Sequence, residues 1–351
     1  MHFAMDADVS ALVDSIGDFF ERRGDGRAIA DASTGSAVAN RQRWNALCEM
    51  GVPVLRLPEP DGVGAGLLEA SAAAEKFGAV LLPEPAVAAL VLAPAWSAHT
   101  AAGDLLEGLC SGSRITTLSA FDKVAVSPSG ELNGRARIFD HGISDAAAVL
   151  AHDEYTGGAA LVILDRVALP QPATRSTLDP TRPVAVFELA GTEPTDVLRL
   201  SSDEANRIRR ELAVLSAAEL VGGMQQVLTD TVEFVTKRAQ FGRPIGSFQA
   251  VKHQLADVYA LTEQARAMVQ YAALTIVEDA GATDDVVGSV SRWVPRSAVN
   301  AFETAIHLHG AMGFSWEVNV HLHLRRALEL RTVLNEFSGS VDRRTHVAEA
   351  V

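Results

Sequence analysis

Cysteine is scarce. Cys48 and Cys110 are the only two in 351 residues, far apart and without metal-ligand spacing. Both stand in apolar, helix-like stretches, so each reads as a buried free thiol in a reducing, cytoplasmic setting. Basic residues are in deficit too: 30 Lys and Arg against 44 Asp and Glu give a net charge of -14. A chain this acidic lacks the basic footprint that nucleic acid requires, and an anionic membrane surface is disfavoured for the same reason. Long apolar runs are missing. The richest, AVLLPEPAVAALVLAPAW, is interrupted by Pro83, Glu84, Pro85 and Pro94, and predicts no membrane insertion. The opening MHFAMDADVSALVDS turns acidic early and has no signal-peptide core. No glycine-rich phosphate fingerprint follows any β-type run, which leaves a dinucleotide fold of the Rossmann type without support.

What is present is apolar bulk, 48% of the chain, enough for a sizeable core. It comes in three textures. Residues 1–114 read as an N-terminal helical domain. Val9, Leu12, Ile16, Phe19 and Phe20 recur near helical spacing, as do Trp44, Leu47 and Met50, with Gly51 as a C-terminal cap. An alanine-rich helix follows and ends near Gly78. Residues 115–200 switch to short β-type runs separated by turn residues, the pattern of an antiparallel meander or barrel, not of βαβ units. Residues 201–351 return to helix. Ser201 and Glu204 have capping-box spacing, and the periodic stripe from Ile208 to Val235 predicts a helix of about 38 residues, on the order of 55 Å long. So long a helix needs neighbours throughout, which predicts a four-helix bundle. Ser247 is the expected cap of the second helix, the third is expected to be interrupted or bent near Pro295, and the fourth follows Gly313. Gly222 and Gly223 inside the first either open room for a bulky ligand or allow close helix packing.

The break between the first two long helices reads RAQFGRPIGSFQAVKHQLAD, from Arg238 to Asp257. Its Arg238, Phe241, Gly242, Phe248 and Gln249 resemble a signature of the acyl-CoA dehydrogenase family. A second segment, AIHLHGAMGFSWE, is similar to that family's Gln-x-x-Gly-Gly-x-Gly turn and places His307, Gly310, Ala311 and Gly313 on it. The LHLRRALEL that follows resembles the family's Arg-rich continuation. The resemblance implies an α+β multidomain fold: an N-terminal helical domain, a central antiparallel β domain and a C-terminal four-helix bundle. It also implies FAD as cofactor, an acyl-CoA or other acyl thioester as substrate, and a flavoprotein as electron acceptor. In the family the two turns come from neighbouring subunits. By this carry-over Arg238, Phe241, Phe248 and Gln249 contact one FAD, and the turn of His307, Gly310 and Ala311 contacts a dinucleotide from a second chain. A homo-oligomer, or a heterotetramer with a second chain of the family, is therefore expected.

The chain departs from the family in three places. The loop that lies against flavin and thioester is reduced to TTLSAFDKVAVSP, and the later flavin-contact strand is replaced by ARIFDHG. His307 stands for the usual Gln and Ala311 for the second Gly. The catalytic base is displaced as well. The reaction takes a proton alpha to the thioester carbonyl while hydride leaves the beta carbon, and the base must be a carboxylate within reach of that proton. One family position for it falls on Leu334, two residues from Glu336; the other falls on Leu212, beside Glu211. Glu211 is the candidate catalytic residue, with a solvated charge in NRIRREL as its plain alternative; Glu219 reads as helix packing or an inter-helix pair and Glu317 as structural. The two His-x-His pairs, His307/His309 and His321/His323, point to different helix faces, so no metal is expected. Three functions stay open: a self-sufficient desaturase of acyl thioesters, a non-catalytic partner subunit of a heteromeric dehydrogenase such as those of steroid side-chain breakdown, and a dehydrogenase acting on a carrier-protein thioester.

Overall fold

A computed structural model describes residues 7–23, 40–99, 102–139, 143–176, 178–278 and 281–348. The last three residues of ARIFDHG, 140–142, lie outside it. Helices α1 (Ala7–Arg23), α2 (Arg41–Glu49), α3 (Leu67–Ala79), α4 (Ala86–Ser97) and α5 (Gly103–Cys110) come first. The Asn40 side chain caps α2 by accepting from the Gln42 N–H at 2.8 Å, and Gly51 leaves it at φ +83°. At the end of α3 the amides of Leu81 and Leu82 return to the carbonyls of Gly78 and Phe77. This is a glycine-type helix stop, yet Leu81 occupies the left-handed position, at φ +53°, because its side chain is buried against Leu322.

The prolines of the long apolar stretch do not prevent a helix. Pro85 precedes α4 and Pro94 sits in its last turn, and nine of the helix's residues are buried, so it is apolar all round. Pro94 lacks the N–H that would reach Leu90 four residues back. The carbonyl of Leu90 is therefore open to another donor.

Eight strands form one sheet: β1 (Thr116–Ser119), β2 (Val124–Val126), β3 (Leu132–Phe139), β4 (Ala146–Asp153), β5 (Ala159–Asp165), β6 (Thr174–Ser176), β7 (Val184–Thr192) and β8 (Asp196–Leu200). Their order is β6-β7-β3-β2-β4-β5-β8, with β1 also on β4. Most pairs are antiparallel, as the short runs and turns suggested. Against that expectation β1 and β2 both run parallel to β4. Val149, Val162, Leu164, Ile138 and Phe187 are the core of this layer.

From Ser201 the chain is helical again: α6 (Ser202–Lys237), α7 (Gln249–Val277), α8 (Thr283–His309) and α9 (Val320–Ala348). The capping box forms, with Glu204 N–H donating to Ser201 Oγ at 3.2 Å and Ser201 N–H donating to Glu204 Oε2 at 2.7 Å. By length and composition α6 could cross a membrane, but 83% of its most apolar window is buried within the protein, as in a core helix.

Close chain contacts divide the molecule into two compact units. One gathers Met1–Ser36, Ser71–Leu82 and Ala213–Val351; the other gathers Ala37–Ala70 and Pro83–Leu212. In the first unit α3 and α6 meet backbone to backbone. A Cβ on Gly78 would lie 1.7 Å from the Glu219 carbonyl oxygen, and one on Gly222 would lie 1.8 Å from that of Glu75. Gly223 faces the His323 and Phe302 rings. These glycines serve packing. Two ion pairs flank the seam. Arg326 on α9 pairs with Glu219 and donates to the Leu81 and Leu82 carbonyls, while Arg266 on α7 pairs with Glu75.

Candidate functional site

The break after α6 is a hairpin. Ala239–Gln240 pairs with Arg243–Pro244, leaving Phe241 and Gly242 as a two-residue loop. Both have positive φ, +53° and +79°, which gives the turn the twist of the strands it joins. Glycine adopts this freely; phenylalanine does so at a cost of roughly 1 kcal/mol. The amide of Ile245 donates to the Arg238 carbonyl at 2.8 Å and closes the hairpin. A Cβ on Gly246 would meet Val235 at 3.0 Å, so that glycine lets the chain fold back onto α6.

Its strained residue is also its most exposed aromatic. Phe241 is 91% exposed, edge-on to Phe248, and the Arg243 guanidinium lies 4.1 Å from the centre of the Phe248 ring. Arg238 is exposed and has no ion pair among the described residues. Phe248 begins α7 without any side-chain cap, so the first amides of that helix are open to an acceptor. Ser247, the expected cap, donates instead to the Pro244 carbonyl at 2.7 Å. Gln249 follows on the exposed surface. A free guanidinium, uncapped helix amides and an exposed aromatic fit the phosphates and ring of a dinucleotide such as FAD.

Arg238 also lines a cleft of about 530 Å³, with Asp230, Glu233, Phe234 and Lys237 of α6, His309 of α8, and Glu317 to Val320 before and at the start of α9. His309 stacks on Phe234 with ring centres 4.4 Å apart, held by an Nδ1 contact with the Ala305 carbonyl at 2.8 Å. Of the residues the sequence singles out for the cofactor, Arg238 alone lines this cleft; Phe241, Phe248, Gln249, His307, Gly310 and Ala311 do not. His307, Gly310 and Ala311 are exposed at the end of α8 and in the short turn Gly310–Phe314. His321 lies edge-on to Trp316 and His323 beside Phe302, each in its own environment.

Glu211 lies in the other unit and is only 3% exposed. Arg56 grips it with both ends of its fork, Nη1 to Oε2 at 2.7 Å and Nη2 to Oε1 at 2.9 Å, and Arg207 adds a bond at 2.9 Å. Arg56 Nη1 also reaches the Leu90 carbonyl that Pro94 leaves open, at 2.9 Å. Burial alone would raise the Glu211 carboxyl, but Arg56 and then Arg207 outweigh it and hold the group below its ordinary value. A carboxylate so paired has little appetite for a proton. Glu211 is thus neither the solvated charge nor the free base that the sequence offers. Glu219 is the inter-helix pair expected, Leu334 is buried, and Glu336 is exposed on α9.

The reduced loop is a tight turn from Ala120 to Lys123. Asp122 closes it by accepting from Ser119 Oγ, from the Arg137 amide at 2.6 Å and from Arg137 Nε at 2.9 Å. Arg209 Nε donates to the Ala120 carbonyl at 3.2 Å. Asp122 and the Ala120 carbonyl are thus engaged by Ser119, Arg137 and Arg209. Sequence reading did not assign Asp122 this role; an Asp three residues after Ser119 was the available signal.

Residues 211–333 match the family model for the C-terminal domain of acyl-CoA dehydrogenases. The chain is 32% identical to the acyl-CoA dehydrogenase IpdE2 of Mycobacterium tuberculosis over 81% of its own length and 79% of the relative's. It is 30% identical to IpdE2 of Mycolicibacterium smegmatis over 90% and 91% of the two lengths. Among solved structures it resembles the ChsE4-ChsE5 complex from Mycobacterium tuberculosis, with TM-score 0.84 and 23% identity over 100% of both chains. Butyryl-CoA dehydrogenase from Megasphaera elsdenii is similar at TM-score 0.81 and 20% identity, covering 97% and 99%. At such identities the structures speak for the fold.

Proposed function

This chain belongs to the acyl-CoA dehydrogenase family, and from that premise we propose that it is the non-catalytic subunit of a two-chain, FAD-dependent acyl-CoA dehydrogenase. The observation that carries the reading is Glu211 in the grip of Arg56 and Arg207. The candidate base is committed to a buried ion pair, while the Arg238 hairpin keeps its binding groups free. The closed Asp122 turn supports the same division of labour, and so does the similarity to one chain of a two-protein complex.

When bound, FAD supplies the acceptor for the hydride that leaves the beta carbon of the thioester. In this chain Arg238 would pair with the pyrophosphate through its fork, and the open amides at the start of α7 would donate to a phosphate oxygen. Phe241 and Phe248 would cover an aromatic ring of the dinucleotide, with Arg243 fixing the Phe248 plane, and the Gln249 amide would add a polar contact. The alpha proton would pass to a carboxylate of the second chain. A fused-ring acyl thioester is the substrate class we favour, because the similar structures include one described as a steroid acyl-CoA dehydrogenase.

The visible spectrum and the assembly size test this, with the chain alone and then with a family member that retains its glutamate base. Oxidised-flavin absorbance that develops only in the mixed assembly, and falls when Arg238 is changed to Ala in this chain, is the expected result. A yellow homo-oligomer that an acyl-CoA reduces would overturn it.

A further inference from the structure

The cleft beside the hairpin has the wrong charge balance for a simple anion site. Its lining carries three carboxylates, Asp230, Glu233 and Glu317, against Lys237 and Arg238. Lys237 is taken up by Glu233 on the next turn of α6. A diphosphate brought to Arg238 therefore approaches two carboxylates, Asp230 and Glu317, that have no ion pair among the described residues. Like charges gathered in one cleft repel unless one of them is neutralised.

Asp230 is placed to relieve the conflict. It is half-buried on α6, and its Oδ1 accepts from Gln226 Nε2 at 2.9 Å. The charged and titratable groups around it are Glu233, Lys237 and Arg238 from α6, His309 from α8, and Glu317 from the segment before α9. Burial is the main cause that holds its carboxyl above the ordinary aspartate range, and the Glu233 charge adds to it; the Gln226 bond and His309 oppose them. We propose that Asp230 takes up a proton when a diphosphate-bearing ligand enters this cleft, so that ligand affinity rises as pH falls. The inference rests on the reading of the hairpin as half of a dinucleotide site. A bound anion raises the proton affinity of Asp230 further, so the complex holds more proton than the free chain. Affinity stops rising once Asp230 is already protonated in the free chain.

Adenosine diphosphate is the probe. It is titrated calorimetrically into the full chain from mildly acidic to mildly alkaline pH, in buffers of different ionisation enthalpy, which counts protons taken up. Uptake in the parent, its loss in Asp230→Asn, and binding of that variant about twofold to tenfold tighter at alkaline pH are expected, the scale of one unit charge at roughly 12 Å, eight residues along α6, between the dielectric of water and that of a partly buried site. Glu233→Gln, a change on an exposed side chain, should move the uptake to lower pH. Loss of binding in Arg238→Met places the probe at the Arg238 half-site, and the Asp230 variant reports whether it reaches the cleft. Binding without proton uptake, or with equal uptake in Asp230→Asn, overturns the role of Asp230 and leaves the half-site standing. No binding at any pH overturns the half-site and the inference with it.

Discussion

Replacing Gly222 by Ala puts one methyl group into the seam between α3 and α6. On an exposed helix the change would stabilise by about 1 kcal/mol, because alanine restricts the unfolded chain and favours helix. Here the new Cβ would sit 1.8 Å from the Glu75 carbonyl oxygen, 2.5 Å from its carbon and 2.7 Å from its Cα. These are backbone atoms, so no rotamer change relieves the clash. The helices must part by more than about 1 Å to restore ordinary contact. The Glu219–Arg326 and Glu75–Arg266 pairs resist that movement, as do the bonds from Arg326 to the Leu81 and Leu82 carbonyls. Overpacking of a closed core costs roughly 1–3 kcal/mol, and a backbone obstacle belongs at the upper end. The net expectation is a loss of about 2 kcal/mol. Denaturant titration followed by helical circular dichroism measures it. Gly103→Ala, where an added Cβ has nothing within 4 Å, is the control and should stay within about 0.5 kcal/mol of the parent. Gly78→Ala should behave like Gly222→Ala. The double variant should lose less than the sum, since the second methyl enters a seam already opened. A Gly222→Ala chain as stable as its parent would refute the rigid seam.

Glu211→Gln should cost roughly 3–5 kcal/mol by leaving Arg56 buried without its partner. Because the Glu211 carboxyl is held below 4.5, its contribution is full above that value and drains away as pH falls through the lowered one; acid titration of stability should show a shallower loss in the variant. Arg326→Met should destabilise on a similar scale, and Glu219→Leu in the same chain should restore much of the loss, which a double-mutant cycle would read directly. Phe241→Gly should leave stability equal or slightly higher, since it removes the left-handed strain of an exposed side chain. If the hairpin serves a flavin, the same variant should retain less of it in the mixed assembly, and unchanged retention would remove Phe241 from the site.

Local signals were read well from the sequence. Ser201 and Glu204 form the capping box, Gly51 ends α2, and α6 covers nearly the span its apolar period indicated. The hairpin was visible as a helix break with an unusual Phe-Gly pair. Partnerships across long stretches of chain were not visible. Arg56 and Glu211 are 155 positions apart, and no spacing rule links them. The charge-rich run around Glu211 suggested solvent because the first long helix was read without the Arg56 segment packed on it. Pro94 read as a breaker because its consequence, an open Leu90 carbonyl, matters only once Arg56 is present to use it. Ser247 lost the cap to geometry: the short turn before α7 aims its hydroxyl back at Pro244. The parallel placement of β1 and β2 on β4 depends on crossovers that strand texture does not encode.

The first compact unit draws Ser71–Leu82 from the early part of the chain and Ala213–Val351 from its end. During synthesis the glycine face of α3 emerges long before α6 exists to cover it. Gly78, Glu75 and the apolar residues around them must wait while the sheet is made. The same threading limits dissection. A fragment that starts at Ser201 would carry α6 to α9 without α3, leaving a bare groove at Gly222 and Glu219 without the carbonyls that steady its arginine. Such a fragment should be aggregation-prone when expressed alone and rescued by a supplied peptide spanning residues 67–82, the behaviour of a split protein whose missing piece is internal to the other half.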